Sequence, residues 1–480
     1  MSQTIPTFTT AIGFLPSSWD AWDGNAETGP WAGGMRDRCV KVLEGIPGLE
    51  LVVPTRAMTG DGCVSTNAHA RQVLELFRAR NIKALIIGNM NFGMEVAVGT
   101  LLSGLSKDLP VLHFCTRSGP ISAAGNRSTD TWCGQFMTVS ALKRRGFTYT
   151  HIPTCNPEEP EFARRVAIFV RAVCAMSRFR GARLGQIGTR PTLFESQGWD
   201  EQDLQRRFGQ MVVPMDLDTA FSRIDAIDIN SPEVAAKVEE IRASADEISD
   251  VHTAKSLANQ ARYELALLGI ARELEVEAMA VSCWTRLQER YGISACSTFG
   301  RLNEQGIIVA CEVDLLGAAT MLAVHAATLG QSIPDFIDWT DLHPSAANVW
   351  LAWHCGNAAP CLASANTTKR LVRNERMIQW CPNCHGALEF ELRPGPVTCS
   401  RLVEYDGEYT FFFGTGEVVD IQPKIRGAYG WVQVKDLADW EAKMVEHGVI
   451  HHGTLIHDPQ VADALEIFCK HLGIHAVRGA

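Results

Sequence analysis

Five side chains of the types that bind divalent metals lie in the last third of this sequence. Two are carboxylates, Glu312 and Asp338, and three are imidazoles, His354, His451 and His452. Carboxylate oxygens and neutral imidazole nitrogens suit Mn²⁺ better than a metal held by thiolates, and Mg²⁺ or Co²⁺ accepts similar ligands. We therefore predict an oxygen-rich divalent-metal site, provided that the fold brings these side chains together.

The elements that must position these side chains follow an α/β pattern over most of the chain. Alternating apolar strands and amphipathic helices predict two doubly wound, Rossmann-like α/β domains, residues 1–150 and 151–305. The segment from Pro232 to Ala243 is one of the predicted helices. From about residue 345 onward, β-rich runs separated by turns, among them 408–414 and 417–422, predict an antiparallel sheet or barrel. We therefore expect a C-terminal domain, residues 306–480, that carries all five metal-type side chains.

The two carboxylates have different local contexts. Glu312 lies at the end of a strand predicted between Gly306 and Asp314, where open α/β sheets place their ligands. A carboxylate in an apolar strand is, however, more often buried and ion-paired than catalytic. Asp338 precedes an apolar segment, so capping of a following helix and metal binding are equally consistent with its position.

The three histidines also allow two interpretations. His354, between Trp353 and Cys355, has the surroundings of a core histidine with satisfied hydrogen bonds. His451 and His452 would point to opposite faces of a strand, so only one of the two should reach a metal ion. The other histidine of the pair would then be available to contact a substrate.

The composition restricts the kind of partner. Over 480 residues, 46% hydrophobic and 20% charged residues are ordinary for a globular protein of more than one domain. The formal net charge of −10 argues against a nucleic-acid partner, whose phosphates need a basic surface. No leader-like segment or apolar run of about 20 residues is present, so we expect a cytoplasmic location without membrane contact. No glycine-rich phosphate-binding motif is present either, so we expect no nucleotide cofactor.

The 15 cysteines predict free, mostly buried thiols in a reducing compartment. One Cys-x-x-Cys-His motif leaves alternatives open, because such motifs attach c-type haem or contribute to zinc sites. Haem attachment of that kind requires export, and a second Cys-x-x-Cys motif is missing. Free thiols at a turn are therefore the favoured interpretation, with a structural zinc as the alternative. The candidate zinc ligands are Cys381, Cys384, His385 and Cys399.

The order of the metal-type residues resembles that of the L-fucose/L-arabinose isomerase family. Glu312 is similar to the first metal-binding carboxylate of the family, and Asp338 is similar to the second. An Asp rather than a Glu at this second position resembles the fucose branch. His354 is similar to a third ligand position. His452 aligns better than His451 with the ligand that the family places within a His-His pair.

The resemblance implies an Mn²⁺-dependent aldose–ketose isomerase that is a homo-oligomer, commonly a trimer or hexamer. Such an enzyme moves a proton between C1 and C2 of a sugar through a cis-enediolate, so it needs a positioned base and an electrophile. A metal that chelates two sugar oxygens is the electrophile. Glu312 and Asp338 would then be acid and base as well as metal ligands.

The resemblance extends to segments that the family places near its substrate. One is Asn91-Phe92-Gly93-Met94-Glu95, which follows a predicted strand, one is Arg127-Ser128-Thr129-Asp130, and a third is the turn Gly188-Thr189-Arg190-Pro191. A tryptophan near the N-terminus could also pack on the C–H face of a sugar, although core packing is the commoner use of such rings. The candidate substrate-binding residues are Trp19, Asn91, Phe92, Glu95, Arg127, Asp130 and Arg190.

Two alternatives to this function remain open. The same fold and metal could serve an epimerase, or an isomerase of a phosphorylated or sulfonated sugar. Arg117, Arg127 and Arg190 are the candidates for binding such an anionic group. The second alternative is a non-catalytic sugar-binding protein, and it predicts that the metal-type side chains do not converge.

Overall fold

The computed structural model describes residues 7–375 and 384–480. These residues form two compact units. The N-terminal unit comprises Thr7–Ser177 and Glu466–Gly473, and the C-terminal unit comprises Arg178–Leu465 and Ile474–Ala480. Among the described residues, no helix is both long enough and apolar enough to cross a membrane. The boundaries 1–150, 151–305 and 306–480 stay predictions.

The N-terminal unit is built on one parallel sheet. Its strands are β1 (Thr10–Ser17), β2 (Leu49–Val52), β3 (Ala84–Asn89), β4 (Val111–Cys115) and β5 (Tyr149–His151). They lie in the order β2-β1-β3-β4-β5, and β3 and β4 are buried at every residue, as expected for apolar central strands. The strand order reverses between β1 and β3, and loops at such a reversal form the ligand crevice of doubly wound sheets.

Helices connect these strands. They are α1 (Ala32–Leu43), α2 (Arg56–Thr59), α3 (Asn67–Ala79), α4 (Glu95–Leu102), α5 (Thr131–Arg144) and α6 (Pro160–Phe179).

The C-terminal unit contains a second parallel sheet. The strands of this segment of the chain are β6 (Arg183–Ile187), β7 (Met211–Met215), β8 (Glu247–Ile248), β9 (Ala278–Val281) and β10 (Ile308–Cys311). Four of them form the parallel sheet in the order β10-β9-β6-β7. The carboxyl ends of β6, β9 and β10 therefore lie side by side at one edge.

Seven helices accompany this sheet among the described residues. They are α7 (Glu201–Phe208), α8 (Leu217–Asp225), α9 (Pro232–Ala243), α10 (Ala254–Glu273), α11 (Arg286–Tyr291), α12 (Cys296–Glu304) and α13 (Leu315–Ala327). The helix predicted from Pro232 to Ala243 has those bounds, because Ser231 Oγ accepts the backbone N–H of Val234 and Pro232 occupies the first turn.

The rest of the C-terminal unit is mainly antiparallel. Its strands are β11 (Asp335–Leu342), β12 (Val349–His354), β13 (Arg370–Arg373), β14 (His385–Glu391), β15 (Gly395–Tyr405), β16 (Glu408–Val419), β17 (Ala428–Gln433), β18 (His452–Ile456) and β19 (His475–Arg478). The helices in this segment are α14 (Leu437–Glu446) and α15 (Gln460–Leu472), and α15 belongs to the N-terminal unit from Glu466 onward.

Six of these strands close into a barrel. They pair in the order β16-β15-β18-β11-β12-β17, and β17 pairs again with β16, with every pairing antiparallel. Closure removes exposed strand edges. Apolar side chains such as Phe412, Trp350 and Trp440 fill the core of this region. The predicted fold class, parallel α/β sheets followed by an antiparallel barrel, is confirmed.

Two local predictions differ from the structure. Asp338 caps no helix, because it lies within strand β11. The runs 408–414 and 417–422, predicted as two strands, are largely one long strand, β16. Two glycines, Gly414 and Gly416, lie inside that strand. A larger residue does not fit there, because a Cβ at Gly414 would clash with Trp440 and a Cβ at Gly416 with the Gln433 backbone.

Candidate active site

The first carboxylate of the site lies in a strained turn after strand β10. Glu312 and Val313 have φ values of +60° and +58°, in the left-handed region that non-glycine residues rarely adopt. Such a conformation costs on the order of 1–3 kcal/mol per residue, most for a β-branched side chain, and persists only where the surroundings hold it. Asp314 then caps helix α13 by accepting the backbone N–H of Gly317 at 2.8 Å.

Two side chains from neighbouring strand ends hold Glu312. Trp284, which follows β9, donates its indole N–H to Glu312 Oε1 at 3.0 Å. Gln197, in the loop after β6, donates its amide to Glu312 Oε2 at 3.4 Å. The carboxylate is thus oriented by donors from the same edge of the parallel sheet.

The barrel supplies the other metal-type side chains. Asp338 on β11 is the cross-strand partner of His452 on β18, and β12, the other neighbour of β11, ends at His354. His452 Nε2 lies 3.6 Å from Asp338 Oδ1 and 3.4 Å from Glu312 Oε2. One imidazole therefore faces a carboxylate from the parallel sheet and a carboxylate from the barrel.

All five metal-type side chains converge. Glu312, His451 and His452 form one group and Asp338, His354 and His452 another, and within each group the potential ligand atoms lie within 4.8 Å of one another. This convergence contradicts the prediction that the non-catalytic alternative made.

The prediction for the two adjacent histidines was wrong. His451 and His452 do not point to opposite faces, because their ring centroids lie only 4.0 Å apart. Strand β18 begins at His452, so the alternation of a strand does not apply to the residue before it. Both imidazoles are therefore close to Glu312.

A buried ion pair supports His452 from behind. His452 Nδ1 lies 2.9 Å from Asp314 Oδ2, and Arg401 donates to both oxygens of Asp314, with Nη2 at 2.9 Å from Oδ1. All three side chains are at most 2% exposed. Because a carboxylate only accepts hydrogen bonds, Nδ1 carries the proton and Nε2 is directed at Glu312 and Asp338.

The electrostatics of the site leave two imidazoles neutral. Burial lowers the pKa of both His354 and His451. Burial also opposes the charged form of His452, but hydrogen bonds with Asp314 and Glu312 raise its pKa to about 9. Burial raises the pKa of Glu312, yet the hydrogen bond with His452 brings it below the usual value, so the carboxylate is ionised at neutral pH.

Several buried atoms of the site lack a hydrogen-bond partner among the residues that the structure describes. They are Asp338 Oδ1, His354 Nδ1 and His451 Nε2. Leaving a buried polar atom unpaired costs about 1–3 kcal/mol, so such atoms at one place call for an explanation. Oxygen and imidazole donors that converge without partners fit a Mn²⁺-type ion, which would also displace the proton from His452 Nε2.

Four residues of the site were not predicted from the sequence: Gln197, Trp284, Phe194 and Arg401. The Phe194 ring lies 4.9 Å from the His451 ring and 6.1 Å from the Trp284 ring, so it covers one side of the cluster. The position of Trp284 just after a strand of the same sheet was a usable signal. The loop that carries Phe194 and Gln197 contains no recognisable motif, so these two residues could not be selected from the sequence.

Five of the six predicted substrate residues of the N-terminal unit fall into two sets. Asn91 accepts the backbone N–H of Trp19 at 2.8 Å and donates to its carbonyl at 3.2 Å. Phe92 lies 5.4 Å from the Trp19 ring, so these three residues form one platform at the β1/β3 reversal. Elsewhere, Arg127 pairs with Asp130 at 3.0 Å.

Two further predicted residues lie outside both sets. Glu95 is the first residue of α4. Arg190, in the C-terminal unit, donates to the Phe194 carbonyl at 3.1 Å.

The cysteine motif gives no zinc group among the described residues. Cys384 and Cys399 are buried, and Cys384 Sγ donates to the Asn374 carbonyl at 3.0 Å. Neither they nor His385 belongs to a metal-type cluster in residues 7–375 and 384–480. Cys381 lies outside the described residues.

Comparison with known proteins identifies the class. Residues 31–180 match the N-terminal domain of fucose/sulfoquinovose isomerase, and residues 352–478 match the C-terminal domain of L-fucose isomerase. The protein is a sugar isomerase that interconverts an aldose and a ketose. The chain belongs to the L-fucose isomerase family. Glu312 and Asp338 lie between the two matched segments.

Similar proteins come from several bacteria. The chain is 25% identical to a sulfoquinovose isomerase of Alkalicoccus urumqiensis over 75% of its length and 78% of the relative. It is 23% identical to a sulfoquinovose isomerase of Priestia aryabhattai over 75% of its length and 77% of the relative. A sulfoquinovose isomerase of Clostridium sp. (strain MSTE9) is 24% identical over 73% and 76% of the two lengths.

Proposed function

We propose that the protein interconverts the aldose and ketose forms of a sulfonated sugar and depends on a divalent metal, Mn²⁺ or else Mg²⁺ or Co²⁺. The observation that carries the choice of substrate is that the similar proteins reported above are all sulfoquinovose isomerases. They favour the modified-sugar alternative over an unmodified aldose.

Glu312, Asp338 and His452 would hold the metal, with His354 and His451 within reach of the same point. The convergence of these groups and the unpartnered atoms of Asp338, His354 and His451 support this choice. When bound, such an ion acts as a Lewis acid that polarises the sugar carbonyl and hydroxyl oxygens.

The two carboxylates would carry the proton transfer. Trp284 and Gln197 donate to different oxygens of Glu312, so they fix its orientation and favour its ionised form. Asp338 Oδ1 accepts no hydrogen bond from the described part of the chain, so this oxygen is available to a substrate proton. Between them they would remove a proton from C2 of the aldose and return one to C1 through a cis-enediolate, while the hydroxyl proton moves from O2 to O1.

One experiment tests substrate, reaction and metal together. Protein stripped with EDTA is incubated with sulfoquinovose or with neutral aldoses, including L-fucose, with and without Mn²⁺, and NMR identifies the product. We expect Mn²⁺-restored formation of the sulfonated ketose. Turnover of neutral sugars alone would refute the sulfonated substrate, a C2 epimer would identify an epimerase, and full turnover without metal would refute the metal dependence.

We also propose that the protein is a homo-oligomer. Trp132 and Phe136, one turn apart on α5, are 60% and 51% exposed and pack edge to face at 4.8 Å, which is an apolar surface suited to burial between subunits. Light scattering should give a mass corresponding to a trimer or hexamer. A monomer at micromolar concentration would refute the proposal.

A further inference from the structure

A sulfonated substrate brings a fixed negative charge to a site that is itself rich in carboxylates. Glu312, Asp338 and Asp314 lie around one imidazole, so the sulfonate group needs a cation of its own nearby. We infer that Arg190 binds the sulfonate group of the substrate. This inference rests on the proposed function and names the residue that would select the charged sugar.

Of the three arginines predicted to bind an anionic group, two are already paired with carboxylates. Arg117 is engaged by Glu159 through two hydrogen bonds, and Arg127 pairs with Asp130. Arg190 has no ion-pair partner among the described residues, and its single described hydrogen bond uses one Nη1 proton. A guanidinium has five N–H donors, so a pair of parallel donors remains for two oxygens of a sulfonate.

Arg190 lies at the same edge of the parallel sheet as Glu312. Arg190 follows β6, Trp284 follows β9 and Glu312 follows β10, and these three strands are neighbours in the sheet. Parallel strands lie about 4.8 Å apart, which puts the end of β6 roughly 10 Å from the end of β10. The arginine and the metal-type cluster therefore lie at one edge of the sheet, separated by the strand that leads into Trp284.

Phe194 connects Arg190 to the metal-type cluster. Its Nη1 donates to the Phe194 carbonyl at 3.1 Å, and the Phe194 ring lies 4.9 Å from the His451 ring. Arg190 is half-buried, so solvent screens its charge only in part. An anion bound there would lie beside the ring that covers the cluster.

The test compares a charged and a neutral substrate in matched variants. Arg190→Gln should raise KM for sulfoquinovose roughly 10- to 100-fold, the loss typical of a hydrogen-bonded charge contact, with little change in kcat. Arg190→Lys should recover part of the loss because it keeps the charge but not the fork of donors. Turnover of the unsulfonated parent aldose should change less than threefold in both variants.

Arg286→Gln is the control, because Arg286 is an exposed arginine of α11 that pairs with Glu289, and the variant should behave as wild type. The affinity for Mn²⁺ and the unfolding midpoint of each variant report whether the loop or the fold has changed.

The outcomes separate the inference from the proposed function. If wild type does not turn over sulfoquinovose, the proposed function fails and the role of Arg190 fails with it. If wild type turns it over and Arg190→Gln leaves KM unchanged, only the role of Arg190 is wrong. An equal loss with charged and neutral sugars would mean that the arginine merely anchors the Phe194 loop, and this too would overturn the inference.

If wild type does not turn over neutral sugars, the KM for sulfoquinovose is measured against ionic strength. KM should rise with salt in wild type and not in Arg190→Gln, and equal salt dependence would contradict the inference.

Discussion

The two ring nitrogens of His452 face opposite kinds of environment. On the Nδ1 side, Asp314 and Arg401 form a buried ion pair whose charges satisfy each other. On the Nε2 side, Glu312 and Asp338 lie at 3.4 and 3.6 Å, and Asp338 Oδ1 has no hydrogen bond among the described residues. Arg401 Nε has no described hydrogen bond either, but Arg401 donates to both oxygens of Asp314. One imidazole thus separates a charge-paired side, here called the complete side, from the incomplete side of Glu312 and Asp338. The first should matter for stability and the second for chemistry.

The largest expected effect is on the incomplete side. Glu312→Gln keeps the shape of the side chain but removes the charge that binds metal and accepts a proton. Turnover should fall by roughly 10²- to 10⁴-fold, the usual contribution of a positioned acid or base, or below detection. The free energy of unfolding of the metal-free protein should fall by no more than about 1–2 kcal/mol, because His452 keeps its hydrogen bond with ionised Asp314 when Glu312 becomes neutral. Activity and urea unfolding are measured on the same preparation.

Glu289→Gln is the control for that variant, because Glu289 is an exposed partner of Arg286. Full activity in Glu312→Gln would refute its catalytic role. A large loss of stability with retained activity would reverse the comparison between the two sides.

The next effect is on the complete side. Arg401→Met leaves Asp314 buried without its cation, and loss of one partner of a buried pair typically costs about 3–5 kcal/mol. The free energy of unfolding should fall by that amount in urea. The control is Arg426→Met, which breaks a pair at an arginine that is 59% exposed and should cost at most about 1 kcal/mol. Equal losses in the two variants would show that burial of the Asp314 pair has no special importance.

The third prediction orders the histidines by metal affinity. His452 belongs to both metal-type groups, whereas His354 and His451 each belong to one. His452→Ala should therefore weaken Mn²⁺ binding most, and the other two variants by less, within the roughly 10- to 100-fold range known for groups around metal sites. Calorimetric titration of EDTA-treated protein measures this, with the exposed His475→Ala as control. If His354→Ala or His451→Ala binds Mn²⁺ as wild type does, that histidine contacts substrate or core only.

The reactive residues of this site were easier to predict from the sequence than the buried pair of Asp314 and Arg401 on its complete side. Metal-type side chains could be selected by chemistry, and Glu312 could be placed because a strand of apolar residues ends there. Asp338 could not be placed, because an acidic residue before an apolar segment is compatible with a helix cap and with a strand. Arg401 lies in an apolar strand of the barrel, and its partner Asp314 is 87 positions away, so only the fold reveals the pair.

Local strain was also beyond the sequence. Nothing in Glu312-Val313 predicts two consecutive left-handed residues, since a β-branched side chain disfavours that conformation. Helix bounds were easier, because caps such as Ser231 act within one turn. The site depends on contacts between the parallel sheet and the barrel, and periodicity describes each element separately.

The last prediction concerns a second carboxyl on the strand that carries Asp338. Asp335 is 2% exposed, and burial raises its pKa to about 8, although the Phe336 backbone N–H offsets part of this. Asp338, three residues further on, is only half-buried and faces the cluster. The strand therefore holds one carboxyl that is protonated at neutral pH and one that is positioned for chemistry.

This difference gives stability a pH dependence of defined sign. Between the ordinary aspartate pKa of 3.8, which applies to the unfolded chain, and the folded pKa of about 8, the folded state retains a proton that the unfolded chain releases. The free energy of unfolding should therefore fall as pH rises through this window, by at most about 1.4 kcal/mol per pH unit from this group. Asp335→Asn, which is neutral at every pH, should gain stability relative to wild type between pH 5 and pH 8. Asp341→Asn, an exposed change on the same strand, should not, and a constant difference between wild type and Asp335→Asn over that range would mean that Asp335 is ionised in the folded protein.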